Sequence, residues 1–403
     1  MRLCGRTLEI STLKIVGARP RVCVICATPL AIHFFLQDHI TGLSSFADVT
    51  VVTNLKNDTY TPALNLPVRI IQLEIFRKIR PWKDAWALLR LVELLRRERF
   101  DLVWAVAPKA GLLGMLAARV TGVKKRLFVF QGEVWASRNG IMRWFLKYMD
   151  RITSQCASHL LAVSHGERDF LVSENVATSR KLSVLGAGSI RGVDLDIYRP
   201  NEIGRAKIRA ELGIDDFAAV AIYLGRVNVE KGILDLAIAF EDALKINSNL
   251  FLLVVGPDEN NIAPVITKIL ALDTRRIKII GFTDKAADYF AAADFLCLPS
   301  YREGFPISIL EAAAVGIPTI GTRIYGITDA IVHEKTGLLV EPGNISQLTK
   351  AIIRFSEDEI FRKTLGAAAR TWVAESFGHT MVIERYLNYF KRLILRNEKA
   401  DTA

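Results

Sequence analysis

The chemistry of this chain is concentrated in residues 300–321, SYREGFPISILEAAAVGIPTIG. The apolar run Phe295 to Pro299 reads as a buried strand that empties into a short polar turn carrying Glu303. Pro306 suits the first turn of a helix, where its missing N–H is no loss, and the helix should end at the Gly316/Pro318 pair. Glu303 then sits on the loop and Glu311 about one turn inside the helix. Both can face the mouth at the carboxyl end of a strand, where open α/β sheets bind ligands. The amides of Ile307 and Ser308 and the positive end of the helix dipole favour an anion there. Two carboxylates that accept hydrogen bonds from hydroxyls, beside a helix start that favours phosphate, suit a sugar nucleotide. The alternative is two unrelated glutamates, one exposed and one on a helix surface.

A second group of residues could serve the same ligand. Ala219 to Leu224 (AVAIYL) reads as a strand, followed by Gly225-Arg226 and then by Glu230-Lys231-Gly232 opening a helix. Cations on short turns at the carboxyl end of a strand can reach a diphosphate, and Gly225 and Gly232 let the backbone approach it. By itself this spacing is weak, because Arg and Lys are common on surfaces.

These residues need a scaffold, and the sequence supplies two α/β series. Strands are expected at 21–27, 48–53, 68–73, 101–107, 125–130 and 160–164, with helices at 81–99, 109–121 and 139–156 among them. Ser164-x-x-Glu167 has the form of a capping box, with His165 at the helix start. Residues 186–200 (GAGSIRGVDLDIYRP) read as a hinge between domains, and a second series begins at Ala218. Gly186, Gly188 and Gly192 miss the dinucleotide fingerprint by one position.

Glu303-Gly304-Phe305 followed by Glu311 resembles the E-x7-E motif of the family 4 retaining glycosyltransferases, and Gly225-Arg226 with Lys231-Gly232 resembles their GR-x4-KG motif, in the family's order. The resemblance implies a GT-B fold, that is, two Rossmann-like doubly wound α/β domains facing a central cleft. Its domains would be 1–198 for the acceptor, 199–375 for the nucleotide sugar, and 376–403 as a helix crossing back plus a tail. It implies a hexosyltransferase in which Arg226 and Lys231 hold the donor diphosphate, Glu303 contacts the hexose and Glu311 holds the ribose. Gly281, Phe282 and Thr283 would meet the base, and the backbone at Gly304, Phe305, Ile307 and Ser308 would complete the donor site. No cofactor or metal is implied. Asp194-Leu-Asp196 mimics a metal-binding Asp-x-Asp but falls in the linker.

The N-terminal half matches the family more loosely. PKAGLLGMLAARV and GEVWASRNGIMRW are similar to bacterial polysaccharide glycosyltransferases of capsule, exopolysaccharide and O-antigen synthesis. That similarity implies a UDP-sugar donor and a polyprenyl-diphosphate-linked glycan acceptor, with Lys109, Gln131 and Glu133 on the acceptor side. Gln131 stands where relatives often carry His, so no side chain is assigned as a base.

Charge agrees with an anionic partner. Residues 1–200 carry 29 Lys and Arg against 16 Asp and Glu, whereas residues 201–403 carry 24 against 26. Anionic lipid and nucleic acid both fit this charge; the motifs favour lipid and no nucleic acid. Asn139 to Cys156 (NGIMRWFLKYMDRITSQC) reads either as a helix facing the core or as one lying in a membrane interface. With no signal-like N-terminus and no uncharged apolar run near 18 residues, the expected place is the cytoplasm, peripheral on the inner face of the membrane. Cys23-x-x-Cys26 lies in an apolar strand with no second ligand pair, which fits reduced thiols. Two other classes stay open: a GT-B nucleotide-sugar epimerase and a basic binding protein without catalysis.

Overall fold

The computed structural model describes residues 18–56, 64–271 and 273–395. Readings of the first seventeen residues, Cys4 included, and of the polar C-terminal tail lie outside them. Seven parallel strands form the first sheet: β1 (Arg21–Cys26), β2 (Asp48–Thr53), β3 (Arg69–Gln72), β4 (Leu102–Val106), β5 (Lys125–Val129), β6 (His159–Ala162) and β7 (Leu182–Val184). Their order is β3-β2-β1-β4-β5-β6-β7. Six more build the second: β8 (Ala219–Leu224), β9 (Leu250–Val255), β10 (Ile277–Ile280), β11 (Phe295–Leu298), β12 (Thr319–Thr322) and β13 (Gly337–Val340). Their order is β10-β9-β8-β11-β12-β13. Each sheet reverses direction of winding once, between β1 and β4 and between β8 and β11, and a crevice at the carboxyl ends of the strands is expected at each reversal. The fold is GT-B.

The central strands are almost wholly apolar because helices cover both faces of each sheet, whereas edge strand β3 carries exposed Arg69 and Gln72. Cys23 and Cys26 are buried on opposite faces of β1, in separate cores, so the C-x-x-C cannot close on one ligand. The second series starts earlier than the sequence reading placed it, with a helix at Glu202–Leu212. Its end signals were present: the Asn201 side chain accepts from Gly204 N, and Gly213 ends the helix in the left-handed conformation at φ 65°.

The chain crosses between the sheets twice. After the helix Glu359–Ser376, the last helix, His379–Leu395, packs on the first sheet, with Val382, Tyr386, Phe390 and Ile394 in its core. The Phe390 ring meets that of Trp104 at 4.8 Å. The two crossing segments are bonded to each other: Val193 N donates to Phe377 O at 2.9 Å and His379 N to Val193 O at 2.9 Å. In the same segment Asp194 Oδ1 accepts from Asp196 N at 2.9 Å and Ile197 N at 3.2 Å, so Asp194 caps a local turn.

Candidate active site

The two motif loops meet at the carboxyl ends of β8 and β11. Asn228 opens a single helical turn, Val229–Lys231, by accepting from Lys231 N, and Gly232 closes it at φ 68°. A Cβ on Gly232 would lie 2.0 Å from Pro299 O, so only glycine lets this turn press on the end of β11. That approach brings Lys231 Nζ to 2.6 Å from Glu303 Oε1, which Ser300 Oγ also reaches at 2.8 Å. Both charged side chains are mostly enclosed, at 17% and 10% exposed. An enclosed cation and carboxylate in contact, at the mouth of a sheet crevice, can bind the phosphate end and the hydroxyl end of one ligand.

Pro306 is the residue before the helix, at ψ 108°, and the helix runs from Ile307 to Val315. It was expected inside the first turn; being extended, it places Ile307 and Ser308 as the first two helical residues, whose N–H groups face out of the helix start. Gly316 ends the helix at φ 93°. Glu311 is 8% exposed, and its carboxyl lies against the Tyr198 hydroxyl of the linker. Burial raises its pKa, opposed by the Arg191 charge and the Tyr198 hydrogen bond. Tyr198 and Arg191 were not anticipated, since nothing local in the sequence ties them to Glu311.

Arg226 pairs with Glu259 at 2.8 Å, and Asn228 Nδ2 reaches the same oxygen at 3.3 Å. A diphosphate would compete with Glu259 for this guanidinium. Gly225 begins the same loop, its N–H donating to Val255 O at 3.0 Å. Gly281, Phe282 and Thr283 follow edge strand β10, on the rim of the cleft. Phe282 meets Phe34 of the first domain edge-on at 6.3 Å, and Thr283 Oγ1 accepts from Lys285 N at 3.0 Å. The Phe305 ring is turned away from the cleft, packed against three cores and 5.2 Å from Phe377. Only its backbone is available to a donor.

Comparison with known proteins bears on both halves. Residues 204–372 match the family model described as glycosyl transferases group 1, and residues 38–188 match a glycosyl transferase 4-like domain. The chain belongs to this glycosyltransferase family. It is 27% identical over 323 residues to the capsular polysaccharide biosynthesis glycosyltransferase CapM of Staphylococcus aureus, covering 80% of this chain and 84% of that one. It is also 27% identical, over 294 residues, to the UDP-Gal:alpha-D-GlcNAc-diphosphoundecaprenol alpha-1,3-galactosyltransferase of Escherichia coli, covering 70% and 73%. Among solved structures, sucrose-phosphate synthase from Thermosynechococcus elongatus superposes with a TM-score of 0.78 at 20% identity, over 94% of this chain and 100% of that one.

On the acceptor side of this glycosyltransferase, Lys109 and Glu133 are both held by partners within the chain. Lys109 joins two helices. Its Nζ holds the Asp84 carboxylate at 2.9 and 2.8 Å and bonds the Lys78 carbonyl, tying two helix starts together. Glu133 is 1% exposed, and its Oε2 accepts from the Tyr325 hydroxyl at 2.8 Å. Gln131 is half-buried, with its backbone against Gly304. The sequence reading missed Arg302, whose guanidinium joins Glu230 at 2.9 Å to Gly132 O at 3.3 Å across the domains. The capping box is half made: Ser164 Oγ accepts from Glu167 N at 3.0 Å, but the Glu167 carboxyl turns to other amides.

The helix Gly140–Cys156 of the glycosyltransferase packs Leu146, Ile152 and Cys156 on the core but turns the apolar side chains of its first turns outward. Ile141 is 84% and Trp144 62% exposed, with Phe145 and Tyr148 beside them, whereas Thr153 and Ser154 are buried. Its basic residues point inward. Arg143 and Lys147 hold Glu174 and lie over the Trp135 ring, and Arg151 bonds the carbonyls of Glu174 and Asn175. Among the described residues, no helix is long and apolar enough to cross a membrane.

Proposed function

We propose that this enzyme transfers a hexose or N-acetylhexosamine, with retention, from a UDP-sugar to a polyprenyl-diphosphate-linked glycan in surface polysaccharide synthesis. The observation that carries the reading is the 2.6 Å contact between Lys231 and Glu303, made by loops from two different strands. Lys231, with Arg226 nearby in the same loop, offers cations to the leaving diphosphate, and the amides of Ile307 and Ser308 add the helix dipole. Glu303 accepts from hexose hydroxyls and Glu311 from the ribose diol. The bond from the sugar's anomeric carbon to the phosphate oxygen breaks as one to the acceptor oxygen forms on the same face. The acceptor's proton passes to the departing phosphate. The side-chain cations meet the charge that develops, so no cofactor or metal enters these steps.

The name of the E. coli relative supports both a UDP donor and a lipid diphosphate acceptor. The test is a mass-spectrometric screen of UDP-sugars against polyprenyl-diphosphate glycans. One UDP-sugar is expected to give a product heavier by one sugar residue with the anomeric configuration kept. An inverted product, or transfer only from other nucleotide sugars, overturns the reading.

The exposed face of Gly140–Cys156 supports a seat on the inner face of an anionic membrane, with apolar side chains inserting and the basic N-terminal half adding attraction. Replacing Ile141 and Trp144 together by Asp is expected to cut co-sedimentation with anionic vesicles about tenfold or more, as two such side chains contribute about 1.5–3 kcal/mol each when buried. Unchanged sedimentation sinks this placement.

A further inference from the structure

The two domains touch across the cleft floor through bare backbone. A Cβ on Gly304 would lie 2.4 Å from Gln131 C, and one on Gly132 would lie 2.7 Å from Gly304 N. This contact adjoins Glu303, so whatever fixes Gly132 fixes the acceptor domain against the sugar-binding loop. Gly132 N donates to Glu167 Oε1, and Val163 N donates to Glu167 Oε2 at 2.8 Å. Beside it lies Glu133, whose Oε2 accepts from Tyr325 of the second domain. Glu133 Oε1 is buried with no donor from the described groups, and Glu133 adjoins Glu167. Both residues are sealed, at 1% and 0% exposed.

Two ionised carboxylates in contact in a dry site repel each other and forgo solvation. One proton resolves both defects. Placed on Glu133 Oε1, it supplies the missing donor, directed at Glu167. Glu167 keeps its charge because two backbone N–H groups already point at it. The seal comes partly from the other domain: Tyr325 stacks on Phe170 at 4.7 Å, and Asp329 accepts from Gly166 N at 3.1 Å.

We propose that Glu133 and Glu167 are positioning residues forming a one-proton clasp, which share a proton while Tyr325 and Gly304 cover them, so that closing the domains takes up one proton and opening releases it. The clasp serves the transfer reaction proposed above by setting Gly132 against the Glu303 loop. Other groups face the pair. Asp150 and Asp329 add negative charge that favours the proton, whereas the Tyr325 hydroxyl, donating to Glu133 Oε2, favours the ionised form; the Tyr386 hydroxyl faces Glu167, and the Arg302 guanidinium bonds Gly132 O. Burial, then the charge of Glu167, raises the Glu133 pKa well above the ordinary carboxylate range. The sign follows: a carboxyl that binds its proton more tightly in the closed form favours closure at low pH. Between the open-form and the closed-form pKa, the closed-to-open ratio falls about tenfold for each pH unit, and above both it is constant.

The experiment is small-angle scattering of the ligand-free enzyme across the neutral pH range. It needs neither donor nor acceptor, so its failure is separate from failure of the proposed reaction. The wild type is expected to expand as pH rises, in a transition of one proton. Glu133→Gln presents an amide N–H to Glu167 and a carbonyl to Tyr325 without needing a proton, and should stay compact throughout. A wild-type radius that ignores pH, or the same transition in Glu133→Gln, overturns the clasp. Should Glu133→Gln fail to fold, Tyr325→Phe keeps the ring stack but loses the cross-domain hydrogen bond. Its transition should move to lower pH, and an unmoved transition overturns the proposal.

Discussion

Lys231→Ala is expected to lower kcat/KM for sugar transfer by about 10²–10³-fold, the loss typical when one preorganised donor to a developing charge is removed. Two effects act together. The leaving diphosphate loses a cation on a turn that Gly232 holds against β11, and Glu303 loses its partner at 2.6 Å while staying enclosed. A merely structural ion pair predicts something else: a lower melting temperature and nearly normal turnover in the folded fraction. Measuring kcat/KM and thermal stability on the same preparation separates the two. Transfer within threefold of wild type would remove Lys231 from the site.

Glu311→Ala should cost more. If its carboxylate holds a ribose diol, two charge-assisted hydrogen bonds of about 1.5–3 kcal/mol each are lost, which is about 10²–10⁴-fold in kcat/KM. UDP titration should show weaker binding, and Glu311→Gln should fall in between. The carboxyl is also raised in pKa by burial, with Arg191 opposing. Its ionised form binds the diol, so donor affinity should be full at higher pH and weaken as pH falls through the raised pKa. A donor affinity equal in Glu311→Ala and wild type, or an affinity that rises toward acid, contradicts the assignment.

What could be read from the sequence was what is local in it. Strand Asp48–Thr53 falls on its expected bounds, and most others within a residue or two, because parallel strands buried on both faces are uninterrupted apolar runs. Glu303 and Glu311 share one strand–turn–helix unit, so their placement needed only local rules. The Glu202–Leu212 helix was missed because the second series was read as starting at the apolar strand near Ala218, although Asn201 and Gly213 mark its ends. The partner of Lys109, Asp84, could not be read from the sequence because it lies on another helix. The Gly140–Cys156 helix shows the same limit in another form: its stripe was evident, but periodicity does not say which side faces water. The Glu133 and Glu167 pair was invisible, since the helix Gly140–Cys156 and β6 separate in the chain two residues that only the folded sheet brings together.

The double crossing between the domains has a mechanical consequence. A single strand of backbone allows two bodies to bend and also to twist about it. Here Val193 is hydrogen-bonded on both sides, to Phe377 and to His379, so the crossings form a short ribbon. A ribbon bends across its thickness and is stiff across its width, much as a strap hinge is. Two bonded crossings therefore restrict rotation of one domain against the other more than a single one would, which favours the register between Glu303 and Gly132.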